Sequence, residues 1–272
     1  VEEALGIRIA TTVTDANALF DTLQSSIKAD EYFADLILLP QKDIGTFSAA
    51  GLLFNLRSAP FLDLTQPYFD AASVDAATAA HKTYGVAGPA SFEETSLSAV
   101  FFNRSLLEQH GLSLPYASVY NGTWTWDEFF RYCAAVSDIN GSTDTRIYSY
   151  STQYAAPYTP ANVFYSCGGT FVNSRAGTTP KIAFSQDNSA QANVVSRLFT
   201  DLHRNRDTEN GLNQFYTGQS MFLLDRLYLM SWIPNCEDDW GILPMPKLNE
   251  EQKDYVSLTD ESDLFFAMQK NT

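Results

Sequence analysis

Apolar and polar positions along the chain repeat with two periods, and the switches between them mark the elements. Residues 1–5 read as the tail of a helix stopped by Gly6, and the run over 7–13 predicts a strand. Thr14 or Asp15 can cap a helix whose apolar face is Leu19, Phe20, Leu23 and Ile27. DLILL (35–39) is a short continuous apolar run, which predicts a strand buried on both faces. A helix over 41–50 follows, with Gly51 where a C-terminal cap belongs. This β-α-β-α order opens a layered α/β domain.

Residues 54–90 read as irregular, punctuated by Pro60, Pro67 and Pro89, with TYGVAG (83–88) as a strand with turns. LSAVFF (97–102) predicts a stronger strand, and a short helix over 104–110 ends at Gly111. Further helices are predicted over 126–137, 159–167 and 188–204, the second closed by Gly168-Gly169. Strands are predicted over 146–151, in WGILPMP (240–246) and in LFFAM (264–268). Residues 171–172 and 181–184 read as a hairpin, and a helix is expected from about Asp225. No internal repeat or low-complexity tract appears, and 272 residues suit one large or two ordinary domains.

Charge narrows the partners. Seventeen Lys and Arg against 32 Asp and Glu give a net charge of −15, spread along the chain. Such a chain repels phosphate backbones and anionic membrane surfaces, so nucleic acid is not an expected partner. Fourteen tyrosines point to half-wet surfaces, where a ring packs and its hydroxyl bonds. Cys133, Cys167 and Cys236 are odd in number and widely spaced, which is neither a disulfide framework nor a metal site. Buried free thiols are the expectation. No apolar run reaches the length of about 18 residues that a membrane span requires, and no signal peptide is evident.

No dinucleotide, Walker, serine-hydrolase or zincin motif is present. Glu93 and Glu94 are adjacent, so in an extended segment they face opposite ways and do not form a glycosidase pair. DINGSTD (138–144) spaces oxygens like a calcium loop but has Thr143 and Ser149 where glycine and glutamate are wanted. No metal or cofactor is expected. NGTWTWDEFF (121–130) sets two tryptophans beside two acids, as a sugar platform could. Thr125 with Glu128 also makes a capping box, and Trp124 with Phe129 a hydrophobic staple, so a helix start explains nearly every letter.

GTWTWDEF (122–129), preceded by FFNRSLLEQHGLSLP (101–115), resembles the extracellular solute-binding proteins of ABC importers, in the group that includes maltose-binding protein. GIRI (6–9), DLILLPQ (35–41), AAGLLFNL (49–56), CGGTFV (167–172), FYTGQSM (215–221) and WGILPMPK (240–247) follow the family's order. Members have one more strand and helix before GIRI and several helices after FFAM, so trimming at both ends is expected. The resemblance implies a two-lobed α/β fold of the type II periplasmic-binding-protein kind, with a ligand cleft between lobes joined by hinge strands. Lobe 1 would take residues 1–97 with 257–272, and lobe 2 residues 98–256.

It further implies a monomeric, non-enzymatic protein outside the cytoplasmic membrane, tethered as a lipoprotein, that delivers a carbohydrate to ABC permease subunits. Gln41, Lys42 and Asp43 occupy a turn from which members reach ligand. Glu93 and Ser96 lie in the hinge segment, and Tyr154 and Tyr158 where a second-lobe aromatic is expected. Asp225 and Arg226 stand where many members carry a tryptophan, which opens the alternative of a charged solute or peptide. A glycan-active enzyme is a more distant alternative.

Overall fold

The computed structural model describes residues 6–88, 96–140, 147–152, 158–173, 181–183, 188–205, 211–231, 238–259 and 264–271, together with Glu3, Ile233 and Cys236. The chain divides into two compact units, Val1–Phe92 with Glu261–Thr272, and Glu93–Asp260.

In the first unit, helix α1 (Ala16–Ala29) turns Leu19 and Leu23 inward, and Asp15 Oδ1 accepts from the Ala18 N–H at its start. Strand β1 (Ile37–Pro40) leads directly into α2 (Gln41–Ala49), which buries Ile44 and Phe47. That helix ends as expected: the Leu52 N–H reaches back to the Phe47 carbonyl, and Gly51 takes a φ of +71°. Helix α3 (Ala71–Ala76) is capped by Asp70, whose carboxylate accepts from the Ser73 N–H, and β2 (Thr78–Ala79) pairs with β3 (Lys82–Thr83). The last strand, β10 (Leu264–Ala267), returns antiparallel to β1 with Leu39 opposite Phe265. Leu23, Leu39, Phe47, Leu53, Phe265 and Ala267 form the centre of this core.

Two expectations fail here. Residues 7–13 form no strand, and Ile7, Ile9 and Val13 are exposed. A strand is stable only when a neighbour completes its ladder, and β1 pairs with β10 instead. DLILL is covered on one face only: Ile37 and Leu39 are buried while Leu36 and Leu38 are exposed. An apolar run cannot report whether a second layer covers its other side.

The second unit is built on four strands among the described residues, in the order β5-β8-β4-β9. These are β4 (Ser98–Asn103), β5 (Tyr148–Ser151), β8 (Ser220–Arg226) and β9 (Trp240–Pro244). The short hairpin strands β6 (Val172–Asn173) and β7 (Lys181–Ile182) lie between them in sequence. Helices α4 (Arg104–Gln109), α5 (Tyr116–Tyr120), α6 (Trp126–Asn140), α7 (Tyr158–Ser166), α8 (Ser189–Asn205) and α9 (Gly211–Tyr216) complete the unit. Central β4 is buried throughout, and alternation divides it. Phe102 joins the large core with Trp124, Trp126, Phe129 and Phe222, while Phe101 joins Phe215, Leu223 and Leu229 on the other face.

NGTWTWDEFF is the start of α6. The Thr125 hydroxyl accepts from the Glu128 N–H at 3.3 Å, and the Trp124 and Phe129 ring centroids lie 6.3 Å apart. The reciprocal half of the box is not made. The Glu128 carboxylate turns to Arg131, with bonds of 2.8 and 2.6 Å, and to Ser118. Both tryptophans are buried and donate inward, Trp124 Nε1 to the Pro244 carbonyl and Trp126 Nε1 to Ser166 Oγ.

A third expectation holds only in part at Asp225. β8 continues to Arg226, and the helix that follows is a 3-10 helix over Leu227–Ser231. The Asp225 carboxylate binds locally, accepting from the Arg226 N–H at 2.8 Å, so it tolerates the strand end.

Candidate ligand-binding site

Strand direction brings a set of polar residues to one edge of the second unit's sheet. β5 runs parallel to β8, and β4 runs antiparallel to both β8 and β9. The carboxyl ends of β5, β8 and β9 therefore share an edge with the amino end of β4. Ser98 lies opposite Arg226, and Ala99 opposite both Asp225 and Pro244. In α/β sheets, ligands bind outside the carboxyl ends of strands.

The side chains at this edge are small, hydroxylated or charged. Ser96, Ser98, Ser151, Thr152, Thr159 and Asp225 are all buried. Buried hydroxyls are costly unless bonded. Ser151 Oγ donates to the Gly211 carbonyl at 2.8 Å, and the Thr152 and Thr159 hydroxyls lie 3.3 Å apart. The Leu227 N–H donates to the Leu97 carbonyl, which ties the exit of β8 to the entry of β4. Arg226 is half-buried, with its guanidinium carbon 4.8 Å from the centre of the Tyr228 ring. Gly211 opens α9 hard against the end of β5, where a Cβ would overlap the backbone of Thr152.

The candidates read from sequence fall in three groups. Asp225 and Arg226 end β8 at this edge on opposite faces, and Ser96 precedes Leu97, whose carbonyl accepts from the Leu227 N–H. Gln41, Lys42 and Asp43 form the first turn of α2 in the first unit, with Lys42 exposed and the other two half-buried. Asp43 suits the positive end of that helix. Glu93 and Tyr154 lie outside the described residues, and Tyr158 is the first residue of α7. The calcium-like loop also lies largely outside them, and among the described residues no His, Cys, Asp and Glu group could hold a metal. Sequence reasoning missed Ser98, Ser151, Thr152 and Thr159. Their one signal was small hydroxyls in strands otherwise made of large apolar residues.

The edge offers hydroxyls, a carboxylate and a guanidinium at the mouth of an apolar sheet. Groups of these kinds can hydrogen-bond a polar ligand. Cys133 and Cys167 are buried free thiols, and Cys236 is free and half-buried. Burial pushes the Cys167 thiol up to about 12, which keeps it protonated and inert. Among the described residues, no helix is long and apolar enough to cross a membrane.

No curated protein matches the chain. Solved structures do. An ABC substrate-binding protein of Listeria monocytogenes, in complex with cycloalternan, matches with a TM-score of 0.63 at 16% identity, over 100% of this chain and 66% of that one. The GacH receptor of Streptomyces glaucescens, solved unliganded and with acarbose, gives 0.62 at 16%, over 98% and 65%. A cyclo/maltodextrin-binding protein complexed with maltotetraose gives 0.68 at 17%, over 100% and 64%. The chain thus spans about two thirds of the length of these neighbours, and at such identities the likeness shows a shared two-lobed α/β fold. The family model for bacterial extracellular solute-binding proteins matches residues 2–247. This chain belongs to the bacterial extracellular solute-binding protein family.

Proposed function

We propose that the protein binds a carbohydrate outside the cytoplasmic membrane and presents it to the membrane subunits of an ABC importer, without chemical turnover. The observation that carries this reading is the sheet edge where Ser96, Ser98, Asp225 and Arg226 converge, in a chain of a solute-binding family. Hydroxyl-rich ligands need both donors and acceptors, and the Ser98 hydroxyl, on the same face of the ladder as Arg226, can supply either. The sugars bound by the structural neighbours, cycloalternan, acarbose and maltotetraose, favour the same ligand class. Gln41, Lys42 and Asp43, with Glu93, Tyr154 and Tyr158, are the further ligand contacts in this proposal. The protein acts as a monomer and is held at the cell surface as a lipoprotein.

A thermal-shift screen over oligosaccharides, amino acids and polyamines tests the reading. A ligand that binds only the folded state raises the melting temperature by mass action. Saccharides are expected to give the shifts. Shifts from amino acids or polyamines alone would sink the carbohydrate assignment.

A further inference from the structure

The first two letters of NGTWTWDEFF, Asn121 and Gly122, form a chemically reactive pair that neither the helix start nor the ligand site uses. We propose that Asn121 is a site of spontaneous deamidation, held closed by the end of α5 and opened when that turn unfolds. Asn-Gly pairs occur at 121–122, 140–141 and 210–211, and the first lies wholly within the described residues. Glycine has no side chain to shield its nitrogen, so that nitrogen can attack the asparagine before it. In the reaction the Gly122 backbone nitrogen bonds to Asn121 Cγ, the Cγ–Nδ2 bond breaks, and ammonia leaves with the proton from the Gly122 nitrogen. Water then opens the cyclic imide at either carbonyl. The products are aspartate and isoaspartate, whose main chain runs through Cβ. No electrons are transferred, and water is the one co-reactant.

The Asn121 side chain is exposed, and among the described residues its amide has no hydrogen-bond partner. The backbone is the obstacle. As the C-cap of α5, Asn121 holds φ −83° and ψ −4°. At that ψ the Gly122 nitrogen eclipses the nitrogen of Asn121 itself and is turned away from Cγ. The same nitrogen donates to the Val119 carbonyl at 3.1 Å, so its proton is engaged. Gly122 takes a φ of +71°, and the Thr123 and Trp124 N–H groups both return to the Ser118 carbonyl. Tyr255 fastens the turn from outside, its hydroxyl donating to the Val119 carbonyl at 3.1 Å. Attack on Cγ therefore needs the cap to open, and its rate follows the population of the opened turn. Isoaspartate lengthens the main chain by one atom before Gly122, which breaks the register of the Gly122, Thr123 and Trp124 bonds. Deamidation in the unfolded chain thus blocks the turn that leads into Trp124 and makes unfolding irreversible.

Peptide mass mapping of the whole chain provides the test, with wild type and Tyr255→Phe incubated in mildly alkaline buffer, native and in urea. Each Asn-Gly peptide is read separately, and isoaspartate is read by isoaspartyl methyltransferase labelling. Residue 121 is expected to convert about tenfold or more slower in native wild type than in urea. Native Tyr255→Phe is expected to convert it faster than native wild type, with no difference between them in urea. After long incubation in urea, Asn121→Gln is expected to recover more native circular dichroism on refolding than wild type. Equal rates at residue 121 in native and unfolded wild type overturn the gate. No conversion at residue 121 in urea overturns the site itself. Equal native rates in wild type and a folded Tyr255→Phe overturn the role of the α5 turn, and the wild-type comparison decides alone if that variant does not fold.

Discussion

Replacing Trp124 by phenylalanine decides whether the paired tryptophans are structure or ligand platform. The Trp124 side chain is fully buried, with ring contacts to Phe129, Tyr132 and Phe222 at centroid distances of 6.3 Å each. Its Nε1–H donates to the Pro244 carbonyl at 2.9 Å. Phenylalanine keeps part of the ring packing but takes away that donor, which costs about 1–2 kcal/mol at the half-buried Pro244 acceptor. The smaller ring leaves a void in a packed core, worth roughly another 1 kcal/mol. The expected loss is therefore about 2–3 kcal/mol, or a fall in melting temperature of roughly 4–12 °C. Far-UV circular dichroism is the assay, because tryptophan fluorescence changes with the substitution itself. Trp126→Phe serves as comparison. Its indole bonds the Ser166 hydroxyl, which also donates to the Val163 carbonyl at 2.9 Å, so the orphaned partner is less demanding and the loss is smaller. A Trp124→Phe protein that melts like wild type yet loses sugar affinity would refute the reasoning and return Trp124 to the ligand.

Thr125→Ala is expected to cost about 1 kcal/mol through loss of the α6 cap, measured by urea denaturation. Glu128→Gln should lose its acid sensitivity instead. Bonding to Arg131 holds the Glu128 carboxyl below the usual carboxylate range, so its contribution is present above the unfolded pKa and lost as pH falls through the folded one. Stability measured from pH 6 downward should therefore decline less steeply in Glu128→Gln than in wild type, whereas parallel curves would contradict it. Gly241→Ala should destabilise by about 1–3 kcal/mol, because its Cβ would overlap the Phe102 ring and the Tyr116 hydroxyl. In native protein at pH 8, iodoacetamide should label half-buried Cys236 and leave Cys167 unlabelled until urea is added, as followed by peptide mass.

Elements that carry their own signal were legible in the sequence. Helix α1 shows its buried stripe at Leu19 and Leu23, and the start of α6 is readable letter by letter because a cap is a local device. What depended on a distant neighbour was not legible. The segment over 7–13 has strand composition but forms no strand, and DLILL reads as two-sided although only one side is covered. Asp225 misled for a related reason. An acid after an apolar run is ordinarily a helix cap, and here its bond to the next N–H lets the strand carry it. The second half of the capping box failed because Arg131, one turn along α6, offers Glu128 a charged partner in place of a backbone N–H.

The candidate site was legible only in part, and the cause is again register. Asp225 and Arg226 stood out through resemblance, but Ser98, Ser151, Thr152 and Thr159 show no period and no charge. They become a set only once the ladders place the ends of β5 and β8 beside the start of β4. The same ladders connect the tryptophan at the head of α6 to that edge. Trp124 holds the carbonyl of Pro244, the last residue of β9, and Pro244 pairs with Ala99, which pairs in turn with Asp225. One row of backbone thus runs from a core indole to the strand end that carries the carboxylate. Loosening Trp124 should shift the edge proposed to hold ligand, so any affinity lost in Trp124→Phe should track its loss of stability. Trp126→Phe, whose indole bonds Ser166 off that row, should lose stability with affinity retained.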